Sequence, residues 1–132
     1  MIKKNYRMLV VLIGIFLIAG CSLQVGDRVA GIQSGKFFYT DGNLVTYYDV
    51  SFEKAWNACE RTILDLKASD AVMVKKIAKG TLDGVLKGEP IRFSVEYLEK
   101  NLTKVSVRVG IAGNNIASEM IQQKIKGYLE QQ

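Results

Sequence analysis

Apolar and polar positions alternate most regularly between residues 91 and 109 of the chain. Two runs there place an apolar side chain at every second position, and polar or charged side chains fill the positions between them. This period of two is typical of strands in a sheet that buries one face and exposes the other to water. Two strands are therefore predicted, with apolar faces made of Ile91, Phe93, Val95 and Tyr97, and of Val105, Val107 and Val109.

A hairpin is predicted at the start of the folded region. Residues 36–40 and 44–49 are rich in aromatic and β-branched side chains, and Asp41-Gly42 stands between them. This dipeptide favours a tight turn because both of its residues tolerate positive φ.

The segment between the hairpin and residue 91 also contains strand-forming runs. Strands are expected near 71–78 and 82–88. Glycines that interrupt such runs indicate turns or bulges, and three do so here: Gly80, Gly84 and Gly88.

Two segments instead repeat apolar residues at spacings of three and four, which is typical of one face of an amphipathic helix. The first follows a capping residue, Ser51, and its apolar face is Phe52, Ala55, Trp56, Cys59, Ile63 and Leu66. The second is capped by Asn114 or Asn115, and its face is Ala117, Met120, Ile121, Ile125, Tyr128 and Leu129. Trp56 fits either a core position or the wall of a ligand pocket, and the core is the commoner place for such a side chain.

These elements predict an α+β fold. The sheet is expected to be largely antiparallel, and packing both amphipathic helices on its one apolar face is the economical way to bury all three apolar surfaces. The expected order is a hairpin, a helix, four strands and a final helix.

The N-terminal segment begins with basic residues, continues with an apolar run and ends with small residues. Its apolar run, residues 8–19, holds about a dozen residues, where a membrane-spanning helix needs roughly 20. The basic start and the short apolar run are typical of a secretory signal peptide. The exit Ile18-Ala19-Gly20-Cys21 resembles the lipobox of bacterial lipoproteins, which implies cleavage before Cys21 and acylation of that cysteine. A signal anchor or a buried helix is the alternative.

The domain organisation follows from this boundary. Residues 1–20 are predicted to be a lipoprotein signal peptide, and residues 21–35, which mix glycine and polar residues, a lipidated N-terminus and flexible tether. Residues 36–132 are then a single α+β domain. Several acyl chains on Cys21 would hold the protein stably on a membrane, whereas one chain binds only marginally.

The charge of the chain is less basic than its total suggests. Of the 18 basic and 13 acidic residues, three basic and no acidic ones lie in the first 20 positions, which leaves 15 basic and 13 acidic residues in the remainder. The lysines of this remainder are scattered along the chain. We therefore predict no nucleic-acid partner.

The residues that usually carry catalysis are sparse. The chain contains no histidine, which is the commonest general base and transition-metal ligand. With Cys21 assigned to lipid, Cys59 is a lone thiol on the apolar face of a predicted helix, where a buried and inert thiol is expected. The loop around Gly110 and Gly113 lacks the full nucleotide-binding fingerprints and is interpreted as a structural turn. We predict no enzyme activity, no metal site and no cofactor.

One pair of charges is less easily explained. If Glu99-Lys100-Asn101 closes a tight hairpin with Leu98 opposite Leu102, then Arg92 faces Arg108. Opposed like charges destabilise a sheet unless something neutralises them. The two charges could be neutralised by Asp83, by solvent, by an external anion or by an acidic partner. Neutralisation within the protein or by solvent is favoured. Arg92 and Arg108 are accordingly the candidate contacts for an anion or a partner.

Several motifs together resemble a known family. They are the lipobox, Y-x-D-G-x-L from Tyr39, A-W-x-A from Ala55, and V-x-V-R-V-G-I-x-G-N from Val105 into the last helix. Over roughly residues 37–130 the chain resembles a family of small bacterial lipoproteins of unknown function. Its layout is also similar to the helix-grip domains of a lipoprotein subunit of the outer-membrane barrel assembly machinery.

The resemblance implies a place in the bacterial cell envelope. Ser22, next to the lipidated cysteine, is similar to the residue of lipoproteins sorted to the outer membrane, facing the periplasm. The expected function is a non-enzymatic, lipid-anchored protein whose domain binds another envelope component, most simply a protein. The alternative is a binding module for a small or lipid-like ligand between the helices and the sheet.

Overall fold

The computed structural model describes residues 35–131. In chain order the elements are β1 (Phe37–Thr40), β2 (Asn43–Tyr48), α1 (Phe52–Asp65), β3 (Ser69–Lys75), β4 (Lys79–Leu86), β5 (Glu89–Glu99), β6 (Leu102–Val109) and α2 (Asn115–Glu130). The strands form one six-stranded antiparallel sheet. The predicted α+β class and antiparallel sheet are confirmed. The predicted signal peptide, Cys21 and all of the predicted tether except Gly35 lie outside the described residues.

The strand order in the sheet is β1-β2-β6-β5-β4-β3. The N-terminal hairpin therefore pairs with the last strand, with Leu44 opposite Val107, and β3 forms the other edge. The turn between β1 and β2 is the predicted Asp41-Gly42, whose φ values of 49° and 80° are both positive. A two-residue turn of this kind matches the natural twist of the two strands.

The alternation between residues 91 and 109 builds the centre of the core. Six inward side chains of β5 and β6 are at most 6% exposed: Ile91, Phe93, Val95, Val105, Val107 and Val109. Tyr97 departs from the predicted apolar row, since 44% of its surface is exposed. The register of β5 on β6 shifts between Tyr97 and Glu99, so the strand is irregular beside this side chain.

Helix α1 begins at its predicted cap. The Ser51 hydroxyl accepts a hydrogen bond from the Lys54 backbone N–H at 3.3 Å, and Glu53 adds a negative charge in the first turn, where the helix dipole favours it. Trp56 is buried in the hydrophobic core. The buried side of the helix is Phe52, Ala55, Trp56, Ala58, Cys59, Thr62 and Ile63.

The three glycines predicted to mark turns or bulges lie in different settings. Gly88, with a φ of 80°, lies in the turn between β4 and β5. Gly80 and Gly84 instead lie inside β4. The turn between β3 and β4 is made by residues 76–78.

Close packing explains these two strand glycines. A Cβ on Gly80 would stand 2.3 Å from ring carbon Cζ3 of Trp56, and a Cβ on Gly84 would stand 3.0 Å from the Cβ of Ala68. Real Cβ atoms do not approach carbon at the first of these distances. The chain therefore needs glycine at residue 80 because α1 presses its indole directly on the strand backbone.

The buried side of α2 also differs from the predicted stripe. Met120 is 70% exposed, whereas Ser118 and Gln122 are fully buried. Ile121 and Ile125 are buried as predicted. The inner side of α2 is thus partly polar.

Both helices contact the sheet and each other. The core cluster combines side chains of α1 and α2 with side chains of β2, β4, β5 and β6. Within residues 35–131, no helix has the length and apolar character that crossing a membrane requires.

Candidate functional site

The register of β5 on β6 places Arg92 directly opposite Arg108. The loop that sets this register is not the predicted one, because Glu99 rather than Leu98 pairs with Leu102. The loop between β5 and β6 has two residues instead of the predicted three, and Leu98 forms a bulge in β5. The shorter loop and the bulge shift the register in opposite directions, so the predicted pairing of the arginines is found.

Asp83 extends this pair into a row of three charges across adjacent strands. It lies opposite Arg92 in the β4–β5 ladder, and its Oδ1 accepts a hydrogen bond from Arg92 Nε at 2.5 Å. This hydrogen bond, together with the negative charge of Asp83, raises the pKa of the Arg92 guanidinium. The Arg92 side chain is nevertheless 64% exposed and that of Asp83 32%, so the ion pair stabilises the domain by no more than about 1 kcal/mol.

Arg108 has a different internal partner. Its Nη2 donates to the backbone carbonyl of Ile111, in the loop that leads from β6 to α2. Each arginine therefore has its own partner within the domain. Asp83 holds the first, and a carbonyl dipole holds the second.

The loop after β6 is folded against the first hairpin turn. Gly113 has a φ of 88°, and a Cβ on it would stand 2.3 Å from the carbonyl oxygen of Gly42. Gly110 also has a positive φ, of 76°. These geometries agree with the predicted structural turn, because only glycine fits both the conformation and the close approach. The contact between Gly113 and Gly42 also explains why the Asp41-Gly42 motif and the G-x-x-G motif from Gly110 occur in the same chain.

Two adjoining clefts open around this loop. The larger, of about 300 Å³, is lined by Asp83, Arg92 and Arg108 and is walled by Pro90 and Ile111. The smaller, of about 240 Å³, shares Gly110 and Ile111 with the larger and is also lined by Glu89 and by the loop up to Asn114. The charged row is thus the floor of an open depression at the end of the sheet.

The start of α2 borders the smaller cleft but already has its cap. The Asn114 side chain accepts a hydrogen bond from the Ala117 backbone N–H at 3.0 Å. Of the two predicted caps, Asn114 is therefore the one used. Glu89 lies beside Gly110, with Oε2 at 3.1 Å from the position of a Cβ there, so a negative charge stands next to the positive cleft.

A buried polar cluster lies between α2 and the sheet, and the sequence reasoning missed it. Gln122 Nε2 donates to the carbonyls of Leu44 at 3.0 Å and Val105 at 3.1 Å. Its Oε1 accepts from the Tyr48 hydroxyl at 2.8 Å. The signal was present, because Ser118, Gln122 and Ile125 follow each other at spacings of four and three. These bonds tie α2 to β2 and β6, and they serve structure rather than chemistry.

The other candidate residues are not brought into a reactive site. Cys59 is fully buried, and burial raises the pKa of its thiol, so the reactive thiolate is disfavoured. In the part of the chain that the structure describes, no three acidic, cysteine or histidine side chains are grouped as metal ligands would be. The site that remains is the charged cleft, with Ile111, which is 84% exposed, on its wall.

Comparison with known proteins adds the family. A search of curated proteins finds no match. The family described as "Protein of unknown function (DUF3568)" matches residues 6–127, which is most of the chain. The match includes all of α1, most of α2 and the residues of the charged cleft. The chain belongs to the DUF3568 family of proteins of unknown function.

Proposed function

We propose that this protein is a non-enzymatic, lipid-anchored component of the bacterial cell envelope. Cleavage before Cys21 and acylation of that residue would anchor it, and Ser22 favours the outer membrane facing the periplasm. The support is the coincidence of a basic start, a short apolar run and a small-residue exit into cysteine within the first 21 residues. The absence of histidine from the whole sequence supports a role other than catalysis.

The domain of residues 36–132 is proposed to bind another envelope component, a protein, through the exposed side of its sheet. We also propose that both helices cover the opposite side. The contacts of both helices with each other and with the inward strand positions support this arrangement. The single observation that carries the binding proposal is the charged cleft, where Arg92 and Arg108 face each other on an exposed sheet surface. Arginine is suited to contact carboxylate groups through two hydrogen bonds at once.

The alternative function is a module that holds a small or lipid-like ligand between the helices and the sheet. The contact of Trp56 with Gly80 favours the protein-binding proposal, because it leaves no space for a ligand at that point. Mass spectrometry of an organic extract of the purified full chain tests the alternative. A stoichiometric small molecule in the extract would support it.

Crosslinking in living cells tests the protein-binding proposal. A photoreactive residue at Ser94, on the exposed side of β5, is compared with one at Leu64 of α1, which is 60% exposed. We expect a discrete crosslinked protein from Ser94, and a weaker product when Arg92→Ala and Arg108→Ala are combined. Lys124→Ala is the control, since Lys124 is an exposed basic residue of α2 and not of the sheet. Equal crosslinking from all variants, or none from Ser94, contradicts the proposal.

A further inference from the structure

The guanidinium of Arg92 is only partly used inside the protein. An arginine side chain carries five N–H donors in a planar fork. Asp83 accepts from Nε at 2.5 Å, and among residues 35–131 the two terminal amino groups of Arg92 have no hydrogen-bond partner. Asp83 thus fixes the orientation of the fork and leaves its outer edge free. That edge is the one that binds a planar carboxylate by two parallel hydrogen bonds.

Arg108 makes the second part of the site. By donating to the Ile111 carbonyl it holds the loop after β6 against the end of the sheet. The Ile111 side chain is 84% exposed and forms a wall of the same cleft, and the exposed Pro90 forms another. An apolar surface therefore lies beside the free edge of Arg92. A group that fits both must carry a carboxylate next to an apolar side chain.

The local charge decides between two kinds of partner. Arg92 and Arg108 are offset by Asp83 in the cleft and by Glu89 in the adjoining one, so the four charges sum to zero. Attraction to an anionic membrane surface takes clusters of about four to eight basic residues. A balanced site has little long-range attraction for such a surface. It retains short-range affinity for one carboxylate that reaches the free edge of the fork.

We propose that the cleft binds an extended peptide segment of the partner, with the carboxylate of an acidic residue on Arg92 and the adjacent apolar side chain on Ile111. This inference rests on the proposed function and names the chemistry of the partner. Asp83 and Arg108 act as positioning residues, the first for the guanidinium and the second for the loop.

The test is a titration of the full acylated chain in non-ionic detergent micelles, observed by NMR at Arg92 Nε–H and at the Ile111 amide. The probes are the blocked pentapeptide Ala-Ile-Glu-Ile-Ala and its counterpart with Gln in place of Glu. We expect saturable shifts with the first peptide and about tenfold weaker binding of the second, because one charge-assisted contact is lost. Arg92→Lys should also weaken binding about tenfold by removing the fork, and Ile111→Ser should weaken it too.

Lys104→Ala provides the matched control and should leave the affinity unchanged. Equal binding of the two peptides, or equal losses from Lys104→Ala and Arg92→Lys, would overturn the proposal. So would shifts at Arg92 caused by phosphatidylglycerol vesicles, or by inorganic phosphate, when the peptide causes none. If the peptide fails but crosslinking from Ser94 still captures a protein, the inference alone is wrong. If the peptide binds and no protein is captured in cells, the proposed function is wrong and the peptide site stands.

Discussion

The indole of Trp56 lies so close to the backbone of Gly80 that no side chain fits between them. The two residues come from different layers, α1 and β4, and a Cβ on Gly80 would also stand 2.9 Å from ring carbon Cε3. This contact sets how closely the helix approaches the sheet. It also explains a glycine in the middle of a strand, a position where glycine lowers stability unless close approach requires it.

Gly80→Ala should therefore destabilise the domain. The added methyl group must displace a buried ring that is 5% exposed, and overpacking of this kind costs about 1–3 kcal/mol. Denaturant melts of the full chain measure the change. Gly127→Ala is the control, because a Cβ there meets nothing within 4 Å and residue 127 lies inside α2. It should stabilise by about 0.5–1 kcal/mol. Equal melts for the wild type and Gly80→Ala would contradict the packing argument.

Gln122→Leu should cost roughly 2–4 kcal/mol of unfolding free energy, because it leaves a buried hydroxyl and two buried carbonyls with one hydrogen bond fewer. The neighbouring Gln123 is exposed, so Gln123→Leu has the same chemistry without the burial and should change stability by less than about 0.5 kcal/mol. Thermal melts of both variants give the comparison. Similar losses from the two changes would show that the buried bonds carry no special weight.

The sequence predicts this fold wherever a periodic signal is long. The alternation from Ile91 to Val109 is sustained over two strands, so it identifies the antiparallel strands and their buried faces. It does not fix their register, and the predicted pairing of Arg92 with Arg108 is found because a shorter loop and a bulge offset each other. Shorter signals are ambiguous. A glycine marks a turn, a bulge or a close contact equally well, so the pattern predicts a turn or a bulge at Gly80, where the structure has a close contact with Trp56.

The error in α2 and the open choice of a partner for Arg92, for which Asp83 was one predicted candidate and is the one found, have a similar cause. Met120 and Gln122 flank the buried Ile121 on α2, and hydrophobicity alone selects the methionine for the buried side. Gln122 is buried because β2 and β6 offer it backbone acceptors, which are a product of tertiary structure. In the site, the use of Asp83 by Arg92 depends on the β4–β5 register. The weak periodicity around Gly80 and Gly84 does not fix that register in advance.

Cys59→Ala should fold and lose roughly 1–3 kcal/mol by loss of packing. The thiol is fully buried on α1, so a bulky maleimide should label it slowly in the native protein and quickly after denaturation. Comparing labelling rates with and without denaturant is the measurement. Rapid native labelling is the outcome that would contradict burial.

Stability should fall above about pH 8.5. Burial raises the pKa of the Cys59 thiol. Burial is also the largest cause of the raised pKa of the Tyr48 hydroxyl. Because the folded values exceed the unfolded ones, about 8.5 for Cys and 10 for Tyr, the native state retains protons that the unfolded state releases. Their contribution is complete below pH 8.5 and is lost as the pH rises, by up to about 1.4 kcal/mol per pH unit for each group.

Denaturant melts at pH 7, 8.5, 10 and 11 measure this dependence. Cys59→Ala should remove most of the loss between pH 8.5 and 10, whereas the steeper loss above pH 10, which includes Tyr48, should remain. An unchanged slope in Cys59→Ala would assign the alkaline loss to other groups.

Cys21→Ser should leave an uncleaved or soluble precursor, because the proposed acylation and cleavage both need the thiol. Incorporation of labelled palmitate, the mass of the purified chain and fractionation of membranes are the measurements. Cys59→Ala is the control and should be acylated like the wild type. A Cys21→Ser chain that still matures and fractionates with the outer membrane would falsify the lipoprotein proposal.

The order of strands also has a consequence for when the domain can be completed. Among the described strands, β6 is the only neighbour of the first hairpin. Gln122, 78 residues beyond Leu44, bonds to that hairpin. A chain that emerges from a translocation channel with its N-terminus first therefore presents β1 and β2 long before their partners arrive. The early part cannot close into a finished sheet, since its edge awaits the last strand and the last helix. If the chain is exported as proposed, completion of the domain would be delayed until the whole chain has passed, and export would proceed on a chain that has not yet acquired its stable form.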